Sequence, residues 1–367
     1  MDQYDPRPEL STEAFCAVLR NLASSGTRYV TLLGGEASIY RRDLMSILDC
    51  AAELGLLVSI NTNGYASQIL LQAAKNPAVS SIVVSLDAAD AMTHDAIRGP
   101  GSYAKAVKTV RLLAATDRAA SHSLRVEMAH VIARANAAKA ADMVMLAESL
   151  GAHRLSVKHV QIVGRAADNV ELLQLSGMDL LNAYCAIVVC WLMGSRLQLS
   201  MQLPAAFAYY LERRFNVPAS LFSTAACAGT EHYGYVDLLG NHLPCPAMSY
   251  EDNPESGLRH AVPALNLVSE PASRIRSLPL FVNFERERAR FSASKRVFPC
   301  NVCRFNDQSS PCTASLLRGQ ASMEVELCKA VLDYGNEAVP GIADNIFSCS
   351  NSGNPPFPPG IAPNDSD

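Results

Sequence analysis

The sequence lacks any excess of positive charge: 31 Lys and Arg stand against 35 Asp and Glu, a formal net charge of −4. A balance of that sign draws in neither nucleic acid nor an anionic membrane surface. It also lacks a long apolar run. The most apolar stretch, residues 183–193, is too short to span a bilayer and reads as a core helix. Residues 1–8 are polar and carry no apolar segment of the secretion-signal kind, so a cytoplasmic location is expected. No internal repeat is visible. Cysteine, by contrast, is plentiful, with 11 in the chain. In a reducing compartment such residues are more often metal ligands or buried thiols than disulfides. The 367 residues, 49% of them hydrophobic, suffice for one large or two modest globular cores.

The chain is organised around Tyr29-Val30-Thr31-Leu32-Leu33, read as a short buried strand, and the turn Gly34-Gly35-Glu36 that follows it. Two residues without side chains let a ligand approach the backbone, and Glu36 offers an acceptor to an amine at that spot. Before it, Ser11 caps a helix whose apolar face is Phe15, Val18, Leu19 and Leu22. After it, strands are expected over residues 57–64, 81–87, 123–132 and 154–163, and helices over 42–54, 67–75, 103–115 and 137–150. Strands alternating with helices imply βαβ units and a parallel sheet. In barrels of that kind the working residues sit at the C-terminal strand ends. Here those ends carry Gly34-Gly35-Glu36, Asn61-Thr62-Asn63-Gly64, Ser85-Leu86-Asp87 and Gly164-Arg165.

Beyond residue 170 the rhythm changes. Helices are expected near 178–192 and 204–214, then a hairpin over 233–243 turning at Gly240, and a polar, helix-prone stretch over 273–291. Residues 348–367, rich in Pro, Gly, Asn and Ser, read as a disordered tail. Cys300 and Cys303 are spaced so that both thiolates reach one metal, and Cys312 and Cys328 follow at loop distances. The four form a candidate ligand set for a 4Fe–4S cluster, with tetrahedral zinc as the rival occupant. Cys227 and Cys245 flank the hairpin as further candidates. Cys16, Cys50, Cys185 and Cys190 read as core thiols, and His94, His130 and His159 as packed histidines.

As an ordered set, Gly34-Gly35-Glu36, Asn61-Thr62-Asn63-Gly64, Ser85-Leu86-Asp87, His94 to Gly99, Gly164-Arg165-Ala166 and the later cysteines resemble the radical S-adenosylmethionine (radical SAM) family, in its branch with a C-terminal SPASM domain. The resemblance covers roughly residues 10–335. It implies an α/β fold: a partial (β/α)6 TIM-type barrel missing its first strand, then a small cysteine-rich α+β SPASM-like domain. The divisions expected are a radical SAM core over 1–170, a helical connection over 171–220 and the SPASM-like domain over 221–335.

The resemblance further implies that Gly34, Gly35 and Glu36 meet the amino end of the methionine part of S-adenosylmethionine. Asn63 and Ser85 would lie near its ribose or carboxylate, and Arg98 would orient that region. Members of the family cleave the sulfonium reductively and use the resulting radical to abstract hydrogen. SPASM members often act on peptides or partner proteins. A reductant such as flavodoxin or ferredoxin is then implied.

The family's C-x3-C-x2-C loop, which holds the radical-generating cluster, is absent from this sequence. Two explanations compete: a start placed too late in a longer enzyme, or a remnant that binds without reacting. The open edge expected on residues 29–33, neither covered nor charged, favours the first. The SPASM pattern is also incomplete, with Leu316 where a cysteine would stand. One auxiliary 4Fe–4S cluster is expected, on Cys300, Cys303, Cys312 and Cys328. An unrelated zinc-stabilised α/β protein is the remaining alternative.

Overall fold

The computed structural model describes residues 9–33, 35–39, 41–117, 124–162, 166, 169–218, 222–224, 234–246, 265–293, 298–305 and 322–347. Helix α1 (Thr12–Ser24) starts at Ser11, whose hydroxyl accepts from the Ala14 N–H at 3.2 Å. Then come β1 (Tyr29–Leu32), α2 (Arg41–Glu53), β2 (Leu57–Thr62), α3 (Ser67–Ala73), β3 (Val79–Ser85), α4 (Ala91–Arg98), α5 (Ser102–Asp117), β4 (Arg125–Ile132), α6 (Asp142–Leu150) and β5 (Arg154–His159). The short α7 (Val170–Leu173) leads to α8 (Gly177–Leu192), β6 (Gln198–Leu203), α9 (Ala205–Phe215) and the two-residue β7 (Ser223–Thr224).

All seven strands lie parallel in the order β1 to β7, the arrangement that helical crossovers force on consecutive strands. The sheet is open. Among the described residues no strand pairs with the outer edge of β1.

Alternation along the strands gives the sheet two unlike faces. Val58, Ile60, Ile82, Val84, Val126, Met128, Leu155, Val157, Met201 and Leu203 turn one way and are buried in one continuous core. The other face is polar. Register pairs Thr31 with Ser59, Ser59 with Ser81, Ser85 with Ala129, Ala129 with Ser156 and Ser156 with Ser200. Ser81 donates to Ser59 at 2.7 Å, and Arg154 lies 3.7 Å from Glu127 on the same face. A parallel strand with both faces covered reads as a continuous apolar run. These alternate because one side lines a lumen.

Two sequence expectations are corrected here. β1 is not buried: Tyr29 is 64% exposed at the sheet's edge, since no neighbour covers it on one side. The stretch 171–220 is not only helical, because β6 lies within it and extends the sheet beside β5. Its sequence, Gln-Leu-Ser-Met-Gln-Leu, alternates too briefly to stand out between two long helices. Cys328 lies on α11 (Met323–Ala338), a buried helix packed on α8 and α9.

The second half holds a three-stranded antiparallel sheet of β8 (Tyr235–Val236), β9 (Asn241–Leu243) and β10 (Leu265–Asn266). The hairpin turns at Gly240, whose φ of +86° suits a residue without Cβ. Helices α10 (Pro279–Ala293), α11 and α12 (Ile342–Phe347) complete it. No helix among the described residues is long and apolar enough to cross a membrane.

Candidate functional site

Three clusters of buried polar groups gather at the C-terminal ends of the strands. The first is built on Glu36, only 5% exposed. Its Oε1 accepts from the Ser38 N–H (3.2 Å), the Ser38 hydroxyl (2.5 Å) and the Thr62 hydroxyl (2.6 Å), while Oε2 accepts from the Asn63 N–H (2.7 Å). The carboxylate thus ties the turn after β1 to the end of β2. An ionised carboxylate has about four acceptor directions, two on each oxygen. Oε1 is saturated and Oε2 has taken one donor, so one direction on Oε2 is open to an ammonium or amide.

Gly64 closes the turn behind it. Its φ is +77°, its N–H donates to Thr62, and a Cβ there would lie 2.9 Å from the Ala106 backbone. Only glycine fits that approach of α5 to the rim. Gly35, at φ +53°, is exposed; Gly34 lies outside the described residues.

The second cluster centres on Asp87, 3% exposed. Oδ1 accepts from the Val131 N–H at 3.0 Å and Oδ2 pairs with Arg98 Nε. Its own N–H donates to His94 Nδ1 at 3.1 Å, and its carbonyl accepts from Asn136 at 2.7 Å. His94 is therefore a satisfied packing residue, as expected. Arg98 is held through Nε by Asp87, with its side chain 30% exposed, so its outer nitrogens can still reach a ligand at the rim. Ser85 stands at the end of β3 on the lumen face, half-buried.

The third cluster joins the two halves. His159, at the end of β5, lies 3.1 Å from the Tyr184 hydroxyl on α8 and 3.2 Å from Glu324 in the first turn of α11. Gln161 donates to the same Glu324 oxygen at 3.1 Å, and Ser322 donates to the other. Burial pushes the Glu324 carboxyl up. The bond and charge of His159, with Ser322 and the Glu324 backbone, outweigh that and hold it at about 2.

One turn along α11 is Cys328, whose thiol is raised well above its ordinary range by burial and then by the Cys303 and Cys300 thiols beside it. Three of the four expected cluster ligands are thus neighbours. Cys312 and Cys227 lie outside the described residues, as do Gly164 and Arg165. Among the described residues no three Cys, His, Asp or Glu side chains already stand in metal-holding geometry. Cys245 is buried beside β9 and apart from this trio in the chain. Cys16 and Cys50 meet in the core between α1 and α2, and Cys185 is buried on α8, as core thiols should be.

Beneath the rim, a cavity of about 1090 Å³ runs along β1 and α1 to Lys158, Gln202 and the β8–β9 hairpin. The sequence reading missed this polar lumen. Its signal was present as period-two alternation in Arg-Leu-Ser-Val-Lys-His and Gln-Leu-Ser-Met-Gln-Leu.

Comparison with known proteins agrees with this geometry. Residues 2–121 match the family model of the radical SAM superfamily. The PqqA peptide cyclase of Methylocella silvestris is 36% identical over 165 residues, which are 43% of this chain and 43% of that protein. The mycofactocin maturase MftC of Mycobacterium ulcerans is 33% identical over 163 residues, 44% of this chain and 42% of that protein. The matches thus span less than half the length of these relatives.

Among solved structures, SuiB of Streptococcus suis superposes with a TM-score of 0.62 at 16% identity, covering 87% of this chain and 70% of that one. A structure of anSMEcpe with bound AdoMet gives 0.63 at 12% identity, covering 92% and 91%. These two likenesses speak for the fold. What is similar to the radical SAM superfamily is the stretch of residues 2–121 that its family model matches, together with the two relatives above.

Proposed function

We propose that this chain binds S-adenosylmethionine at its rim and takes part in radical modification of a peptide or protein lying in the lumen. The observation that carries the reading is the Glu36 clamp, a buried carboxylate fixed by four donors with one acceptor direction left. Such a group recognises an ammonium without having to reorganise. Gly34 and Gly35 would let the methionine backbone approach, Asn63 and Ser85 would face its ribose or carboxylate, and Arg98 would offer its outer nitrogens to the carboxylate.

The substrate class rests on the names of the relatives, a PqqA peptide cyclase and a mycofactocin maturase, and on a cavity of about 1090 Å³ with room for an extended chain. SuiB has been solved bound to its precursor peptide SuiA. A reductant such as flavodoxin or ferredoxin would belong to the same reading.

Cys300, Cys303 and Cys328, with Cys312, fit an auxiliary 4Fe–4S cluster in donor chemistry, since the three described thiols are buried or half-buried neighbours. Such a cluster supplies electron transfer. A radical-generating cluster has no ligand set here: the sequence contains no C-x3-C-x2-C, and the mouth holds no such trio among the described residues. No step through that cluster follows from this chain's residues.

The test is equilibrium dialysis of S-adenosylmethionine against the anaerobically reconstituted chain. Glu36→Gln keeps the shape and removes the charge. It should weaken binding about tenfold, the scale of one charge-assisted hydrogen bond. Equal binding by both proteins, or none by either, removes the clamp from the account. Formation of 5′-deoxyadenosine on reduction then separates a reacting protein from one that only binds.

A further inference from the structure

Every buried carboxylate near the rim is already engaged. Glu36 is held by Ser38, Thr62 and Asn63, Asp87 by Arg98 and the Val131 N–H, Glu127 by Arg154, and Glu324 by His159, Gln161 and Ser322. Lys158 is different. It pairs in register with Val131, the residue bonded to Asp87, which places it on the lumen face one pleat below the rim end of β5. It is exposed, it lines the cavity of about 1090 Å³, and it has no ion pair among the described residues.

Ser156 pairs with Ser200, so the next lumen position on β6 opposite Lys158 is Gln202, which lines the same cavity. A cation and an amide donor therefore face one space; the carboxylates that line the cavity, Glu9, Asp43 and Asp237, stand before α1, on α2 and in the β8–β9 hairpin rather than on β5 or β6. Arg28, the other unpaired cation along this cavity, lies before β1 at the opposite end of the strands.

We propose that Lys158, with Gln202, is a specificity-determining site for a carboxylate of the peptide substrate, either an Asp or Glu side chain or a free C-terminus. This deepens the reading of the lumen as a peptide site and rests on it. Lys158 is exposed, so solvent screens the pair and it orients the carboxylate more than it tightens binding. The carboxylate is held and oriented, and no bond is made or broken at Lys158.

The test is affinity selection, read by mass spectrometry, from two random synthetic hexapeptide libraries. One has free C-terminal carboxylates and the other is amidated. The full reconstituted chain is used with and without added S-adenosylmethionine. Wild type should prefer acidic peptides, or the free-carboxylate library over the amidated one, about threefold more than Lys158→Met does, the scale of one exposed charge pair. Lys158→Glu should turn the enrichment toward Lys and Arg. Enrichment confined to the free-carboxylate library identifies the C-terminus as the ligand, and enrichment in both identifies a side chain.

No preference by wild type for either acidic or free-carboxylate peptides, or a preference that survives in Lys158→Met, overturns the proposal. So does a Lys158→Met variant that loses S-adenosylmethionine binding, because the cation then serves the nucleotide. If instead wild type binds no S-adenosylmethionine but still selects acidic peptides, the site stands and the function proposed above fails.

Discussion

The two halves of the molecule secure their polar groups differently. In the barrel half each buried charge is satisfied by the adjacent strand or by the turn that follows: Glu36 by β2, Asp87 by β4 and α4, Glu127 by β5. The cysteine-rich half packs α11 and α12 into the same apolar core as the strands, and its polar ties to the barrel are contacts of long sequence separation. These are His159 with Glu324, Asn21 with residues 267–272, and the crossing of Gly177 over α11. Neighbours in the sheet are consecutive in the chain, whereas the second half meets its polar partners across long stretches of chain. The docking contacts are therefore where the molecule should come apart first.

The largest effect is expected at Gly177. A Cβ there would stand 2.2 Å from the Glu326 carbonyl oxygen, and backbone cannot yield as a side-chain tip can. Gly177→Ala should cost roughly 3 kcal/mol, through overpacking and a displaced α11, measurable by urea unfolding. Next is Glu324→Gln, which leaves His159 facing an amide. The loss should be about 2 kcal/mol, the range for breaking a buried charged hydrogen bond.

This pair also has a pH signature. The Glu324 carboxyl is lowered from 4.5 to about 2, so its stabilising contribution is present above pH 4.5 and is lost as pH falls toward 2. Hydrogen exchange in α11 should accelerate across that window in wild type and not in Glu324→Gln. Asn21→Ala follows, at about 2 kcal/mol, because it removes three bonds, of 2.9 Å to the Leu267 carbonyl, 2.6 Å to the Glu270 carbonyl and 2.7 Å from the Ala272 N–H. Should these three changes loosen β1–β6 as much as α11 and β8–β10, the contrast between the halves is wrong.

The smallest effect is expected within the barrel. His130 is 1% exposed on the apolar face of β4, and neither ring nitrogen has a hydrogen-bond partner among the described residues. Burial lowers it from 6.5 to about 4, against the opposing pull of Asp87. Its neutral form is the folded one, so this contribution is present above pH 6.5 and is lost as pH falls toward 4. His130→Leu should change stability by no more than about 1 kcal/mol, in the stabilising direction, and remove that part of the acid sensitivity. A large loss on this substitution would mean that the imidazole has a polar role in the barrel.

Much of the barrel was legible in the sequence because its signals are local. Period-two strands, glycine-ended helices such as α6 with Gly151, and turn residues at the strand ends all lie within a few positions of one another. Residues 29–36 with 61–64 marked the Glu36 clamp, and Ser85 to Gly99 marked the Asp87 hub. What the sequence did not show depends on distance. Glu324 meets His159 across 165 positions, and nothing near either residue announces it. Nothing near Cys328 marked the buried helix that carries it, because one cysteine adds no distinguishing period. β6 is six residues long and was masked by the helices on either side. The lumen was visible as alternation in single strands, but only register shows Ser59, Ser81, Ser156 and Ser200 to share a face.

The central claim is that the rim around Glu36 is a preformed seat for a sulfonium amino acid. Calorimetric titration of S-adenosylmethionine into the reconstituted wild-type chain and its Thr62→Val variant tests it directly, because Thr62 fixes Glu36 without reaching the ligand. Saturable binding by wild type that weakens about threefold or more in Thr62→Val, in keeping with the loss of one positioning hydrogen bond, is the expected result. Equal heats for the two proteins, or no binding by wild type, would contradict it.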